Sequence, residues 1–366
     1  MIFNAKRYNR PLLIYGYGVR LAGAESGAVE LAERSGIPVA LTWGAIDLMP
    51  TSHPLNVGGF GTHGNRAPNF AVQNADLIIA VGTRLDSKST GTPVESFARQ
   101  ARIVMVDIDQ AELDKFFKFE RVERVHEEAK EFLSDVIIET GDYSQWLTQI
   151  DRWKSRYPVC KDLPYRYVEQ LSDLLPEGAI IVSDTGHTLA WMMQGFKFKK
   201  GQRFIHAMNN TPMGYGLPAA IGASFANPGK PITLVTGDGG LQLNIQEMAT
   251  VIHHNLPIRI ILFNNQGHGM CRQSQEQWLG SRFASTCKDG GLACPRFTDI
   301  ARAYGFVTPT NLRLATTWAG PLFYELQIPF DAKLTPQVRF GHPNEDADPL
   351  LDREELSENM LIPLWK

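Results

Sequence analysis

The residues best placed to do chemistry are Asp238, inside Gly237-Asp238-Gly239, and Asn265, which follows it by 27 positions as the second residue of Asn264-Asn265. A carboxylate and an amide oxygen are hard donors, suited to a divalent ion such as magnesium. Glycines beside them let backbone N–H groups approach a phosphate closely. Asp-Gly also marks ordinary turns, and the pair by itself leaves that reading open. The elements around the pair favour a ligand. Pro231 to Val235 reads as an apolar strand running into the glycines. A helix is predicted from Asn244 to His254, with Ile245, Met248, Ala249 and Ile252 on one face. Pro257 closes a turn, and Ile258 to Phe263 reads as a buried strand. Acid and amide thus fall at the carboxyl ends of two strands, where open parallel sheets bind ligands.

GDG, 24 residues and then NN resembles the signature of thiamine-diphosphate-dependent enzymes. Met213-Gly214-Tyr215-Gly216-Leu217-Pro218-Ala219-Ala220-Ile221-Gly222-Ala223 resembles a run of the acetolactate synthase-like branch, as do Asn264 to Met270 and Arg272-Gln273. The resemblance covers nearly all of the chain. It implies thiamine diphosphate and Mg2+ as cofactors, with Asp238, Asn265 and the carbonyl of Gly267 holding the metal. Gly186, His187 and Thr188 match the loop that meets the diphosphate, where the family often has Gly-Gln-His. Gly237, Gly239, Gly240 and Gly269 are matched to the same cofactor. Met213 matches the residue that props it in its bent form, Thr211 the one whose carbonyl meets the aminopyrimidine, and Met270 a neighbour of the thiazolium ring. Read without the family, His187 is equally a loop histidine and Met213 a core filler.

Composition sets wider bounds. Hydrophobic content of 43% and charged content of 20% are those of a folded globular chain. A formal net charge of −3 gives no reason to expect nucleic acid or an anionic membrane as partner. No apolar run approaches a membrane span, and the first residues lack a signal-peptide layout. Cys160, Cys271, Cys287 and Cys294 have no CxxC spacing and read as free thiols in a reducing cytoplasm.

The predicted fold class is α/β, with two doubly wound parallel-sheet domains. A Rossmann-like central domain is expected over residues 1–140, a linker with an amphipathic helix over 141–164, the diphosphate-binding domain over 165–338 and a surface tail over 339–366. Strands at Leu12–Tyr15, Pro38–Leu41, Leu77–Val81 and Ile103–Asp107, with helices at Glu25–Ser35 and Glu127–Thr140, indicate a helix-covered parallel sheet in the first domain. Strands in the second are expected at Ala179–Val182, Ile232–Val235, Ile258–Phe263 and Phe323–Ile328. Gly16-Tyr17-Gly18 follows the first strand, but Leu21 spoils the full GxGxxG, which leaves a tight turn as the simpler reading. The resemblance is to a central domain that binds FAD in some members. Leu85-Asp86-Ser87-Lys88 lacks the second acidic residue those members usually carry, which argues against FAD.

The resemblance also implies a reaction: decarboxylation and carboligation of small 2-oxo acids. In the superfamily a glutamate on a separate pyrimidine domain activates the cofactor. No glutamate of this sequence matches it, and Glu247 reads as structural. The expectation is therefore a catalytic portion completed by a pyrimidine-domain subunit or within a homo-oligomer. The alternative is an inactive fragment or a non-catalytic cofactor-binding or regulatory protein of the same fold. Val307 to Ala319 is shorter than the family's usual stretch and is expected to leave apolar sheet surface uncovered.

Overall fold

The computed structural model describes residues 2–116, 118–208 and 210–365. The chain forms two compact units, Met1–Val159 with Thr335–Lys366, and Cys160–Leu334.

The first unit carries β1 (Ile2–Asn4), β2 (Pro11–Tyr15), β3 (Val39–Leu41), β4 (Asn56–Gly59), β5 (Leu77–Val81), β6 (Arg102–Asp107), β7 (Val122–His126) and β8 (Ile137–Glu139). Six of them form a sheet in the order β4-β3-β2-β5-β6-β7, parallel throughout. β2 and β5 are buried at every residue, as strands covered on both faces must be. The edge strands β4 and β7 escape sequence pattern, because an edge buries only part of its residues. In β7 only Val122 and Val125 are buried, between charged neighbours.

Helix α1 (Glu25–Ser35) lies where it is predicted. Helix α2 (Arg66–Asn74) is wholly buried. Helix α3 (Ala129–Asp135) corrects the longer helix predicted to Thr140. The β-branched run Val136-Ile137-Ile138 turns extended, and β8 pairs in parallel with β1. Helix α4 (Ser144–Arg156), expected within a linker, buries Trp146, Ile150 and Trp153 in this unit. The Trp153 and Phe70 rings lie 5.7 Å apart, and Trp146 Nε1 donates to the Pro11 carbonyl at 3.0 Å.

The glycines after β2 serve close packing. A Cβ on Gly18 would come within 2.7 Å of Gly82 Cα, and one on Gly16 would overlap the Gly82 carbonyl. The tail, expected to lie over the surface, instead packs into this unit. Asn344 and Glu345 are 1% and 2% exposed, and Glu345 pairs with Arg99 at 2.8 Å.

The second unit is a five-stranded parallel sheet: β9 (Ile180–Ser183), β10 (Arg203–Ile205), β11 (Ile232–Gly237), β12 (Ile258–Asn264) and β13 (Leu322–Gln327), in the order β10-β9-β11-β12-β13. β10 has one buried residue in three and went unread in the sequence. The helices that matter are α5 (His187–Gly195), α6 (Gly216–Ala226), α7 (Asp238–Leu243), α8 (Met248–His253), α9 (Gly269–Trp278) and α10 (Leu312–Thr317).

The single helix predicted from Asn244 to His254 is not present. Asn244 leaves helical geometry with φ −134° and donates its side-chain N–H to the Gly214 carbonyl at 2.5 Å. A 3-10 turn over Ile245–Glu247 follows, then α8, which buries Met248 and Val251. Ala249, placed by periodicity on the core face, is exposed. No described helix is long and apolar enough to cross a membrane.

Candidate functional site

β11 and β12 lie side by side in parallel, with Gly237 opposite Phe263. Asp238 and Asn265 therefore emerge together at the carboxyl edge of the sheet. β9 pairs with the other side of β11, which brings the Gly186 turn to the same edge. A cavity of about 260 Å³ lies there. Every residue matched to the cofactor or the metal in the sequence lines it: Gly186, His187, Thr188, Thr211, Met213, Gly237, Asp238, Gly239, Gly240, Asn265, Gly267, Gly269 and Met270. Thr185, Trp191, Phe263, His268 and Cys271 complete the lining and were not anticipated.

Helix starts dominate this wall. α5 begins at His187 and runs nine residues, and α9 begins at Gly269 and runs ten. The shorter α7 begins at Asp238 itself. Free N–H groups and the positive dipole ends of these helices meet at the cavity, an environment that selects anions.

Asp238 is the exception, an acid in an anion-favouring place. It is 3% exposed. Its Oδ1 accepts from the Gly239 N–H and its Oδ2 from the Gly267 N–H, both at 2.9 Å. Burial pushes its carboxyl up to about 6 despite these bonds. Cys294 Sγ lies 4.0 Å from Oδ2.

The two adjacent asparagines have different surroundings. Asn264 ends the strand: its Oδ1 accepts from the Gln266 N–H at 2.9 Å, and its Nδ2 donates to Glu325 at 2.7 Å. That tight turn holds Gln266 at φ 56°. Asn265 is left to face the cavity, packed so closely that a Cβ on Gly269 would lie 2.6 Å from its Nδ2.

Sequence reasoning missed Asp184. It is 1% exposed and accepts from the N–H groups of Thr185, Gly214 and Gly216 at 2.7, 3.1 and 3.2 Å. Burial raises its carboxyl above the usual range against those bonds. It pins the Met213 turn to the end of β9, and a Cβ on Gly240 would meet it at 2.8 Å. The acid directly after the apolar strand, in Ser183-Asp184-Thr185-Gly186, was the available signal. Met213, held by that turn, is 37% exposed. His187 Nε2 lies 2.8 Å from Gln273 Oε1, so this histidine is tied to α9. Glu247 stays out of the lining and accepts from Thr250 Oγ1 at 2.9 Å.

A parallel-sheet unit with this glycine-and-acid edge is the architecture of a diphosphate-binding domain, and comparison with known families agrees. Residues 1–136 match the thiamine pyrophosphate enzyme central domain, and residues 184–315 match the C-terminal TPP binding domain of the same enzymes. The chain belongs to the thiamine pyrophosphate enzymes. Within them it is similar to acetolactate synthase large subunits. It is 30% identical over 358 residues to acetolactate synthase isozyme 1 large subunit of Escherichia coli K12, covering 92% of this chain and 62% of that protein. It is 34% identical over 313 residues to a probable acetolactate synthase large subunit of Methanocaldococcus jannaschii, covering 81% and 52%. The large subunit of Cyanidium caldarium is 34% identical over 358 residues, covering 92% and 60%. The chain thus spans between half and two thirds of the length of these curated relatives.

Proposed function

We propose that this chain is the thiamine diphosphate- and magnesium-binding portion of an acetolactate synthase-like enzyme acting on 2-oxo acids. One observation carries the proposal. Helix starts converge on a cavity that also holds a buried carboxylate, Asp238, with no lysine or arginine paired to it among the described residues. An anion site with a buried acid makes electrostatic sense when a divalent cation joins the two. The donors suit magnesium: the Asp238 carboxylate, the Asn265 amide oxygen and the Gly267 carbonyl, all oxygens.

The residues present fit the cofactor. Gly239 and Gly240 line the cavity as glycines because a side chain at either would collide with His268 or Asp184, so only backbone is presented there. The starts of α5 and α9 would orient the diphosphate. Met213 would brace the organic part. Trp191 and Phe263, 1% and 2% exposed, form an apolar wall that excludes water. Bound thiamine diphosphate supplies the carbon nucleophile and electron sink for decarboxylating a 2-oxo acid.

No glutamate lines the cavity among the described residues. We place the activating glutamate on a pyrimidine domain outside these 366 residues, supplied in trans. The half-exposed Met213 supports a cavity completed by such a partner or by a second subunit. FAD is left out of this reading because Leu85-Asp86-Ser87-Lys88 lacks the second acidic residue of the FAD-binding members. The four free cysteines support a reducing cytoplasm.

A second reading is a catalytically inert chain that keeps the fold. The short 307–319 segment favours it, because Val307 and Trp318 around α10 and Leu314 on it are 40%, 47% and 51% exposed.

Calorimetry with thiamine diphosphate should show saturable binding that disappears on chelating magnesium. Binding indifferent to chelation would sink the metal assignment. Pyruvate turnover should be absent from the chain alone and appear on adding a pyrimidine domain. Turnover without it would overturn the placement of the glutamate, and none with it would favour the inert chain.

A further inference from the structure

We infer that His268 is a further diphosphate contact, donating an N–H to the phosphate oxygens from the turn that leads into α9. The inference rests on the reading of the cavity as a diphosphate site. Three observations carry it. His268 lines the cavity, half-buried. Its ring packs over the Gly237-Asp238-Gly239 turn so tightly that a Cβ on Gly239 would overlap Nδ1 and lie 2.6 Å from Cε1. Among the described residues, neither ring nitrogen has a hydrogen-bond partner.

The contrast with His187 is instructive. That imidazole also borders the cavity, but its Nε2 is engaged with Gln273. His268 has its donor to spare. The ring nitrogens of His268 remain open to the cavity, where a ligand oxygen can take the place of water.

The backbone fixes where the ring stands. The His268 N–H donates to the Thr286 carbonyl at 3.0 Å, and its own carbonyl accepts from the Arg272 N–H at 2.9 Å as α9 begins. The side chain therefore stands over Gly239 on the cavity wall, where the Met213 methyl would also lie 3.1 Å from a Gly239 Cβ. The starts of α5 and α9 border the same cavity, so the acceptor that they and the ring share is an anionic oxygen. A neutral imidazole has one N–H and needs no protonation to take this role.

The test uses inorganic pyrophosphate with magnesium, titrated by calorimetry into the chain as it stands. His268→Phe keeps an aromatic ring over Gly239 and removes the donor. His268→Gln keeps a donor and gives up the ring. A hydrogen-bonding role predicts that His268→Phe weakens pyrophosphate binding about tenfold or more, while His268→Gln stays within about threefold of the parent. A packing role predicts the reverse order and would overturn the inference, as would equal affinity for all three. Asp238→Asn separates this inference from the reading beneath it. Binding by the parent that is lost in Asp238→Asn but unchanged in His268→Phe sinks only the role of His268. No pyrophosphate binding by the parent sinks both.

Discussion

Asp238→Asn separates the two opposed roles of this side chain in folding and in binding. Burial raises the carboxyl from 3.8 to about 6, which disfavours the ionised form in the folded chain by about 3 kcal/mol. The sign follows from linkage. Between these two values the folded state holds a proton that the unfolded state has released, so stability falls as pH rises through that window. Above about 6 the penalty is fully present. Asparagine removes it but turns one of two acceptors into a donor, facing the N–H of Gly239 or Gly267, at a cost of about 1–3 kcal/mol. The terms nearly cancel, and the variant should melt close to the parent at pH 7.5. Its stability should also lose the pH dependence between 4 and 6 that the parent shows. Binding has no such compensation. Removing the charged partner of a buried ion costs about 3–5 kcal/mol, more than a hundredfold in affinity for magnesium and thiamine diphosphate. Calorimetry paired with thermal melting reads both quantities on one sample. Equal magnesium-dependent affinity in a folded Asp238→Asn would refute the metal-ligand role.

Other residues give independent checks. His63 is held down to about 4 by burial and by Lys88, so the unfolded state takes up a proton first as pH drops. Full stability is then present above about 6.5 and is lost towards 4, by up to about 3 kcal/mol; urea midpoints at pH 7.5 and 5 should show a gap that shrinks in His63→Gln. Gly240→Ala drives a methyl group into Asp184 and should lower stability by about 1–3 kcal/mol, visible as a lower melting temperature. Trp153→Ala empties a site that is 1% exposed under α4, with an expected loss of about 3–5 kcal/mol in denaturant titration. Cys271 lines the cavity and Cys294 touches Asp238. Both are exposed, and mass spectrometry should find their alkylation slowed by magnesium pyrophosphate.

Much of the fold was legible because parallel strands buried on both faces must be apolar along their whole length. β5 and β12 show such runs, and α1 shows its period. The failures have a common cause. β4, β7 and β10 lie at sheet edges and bury only part of their residues, so no pattern marks them. Helix propensity carried α3 too far, because nothing local says that Ile137–Glu139 will find Ile2–Asn4. The break at Asn244 depends on a carbonyl thirty residues away, at Gly214.

The sequence by itself determined where the candidate ligands fall. The spacing of Asp238 and Asn265 across one helix-and-strand repeat puts both at strand ends, since the chain between them is long enough for only one crossover. Tertiary structure decided the company they keep. β9 lies against β11 rather than elsewhere, which sets the start of α5 facing that of α9 and leaves Asp184 to fix the Met213 turn. It also set the ring of His268 over Gly239. Strand ends are written locally in apolar runs and glycines, but which strands become neighbours is settled by how whole faces pack, and only then does a loop histidine acquire a place in the site.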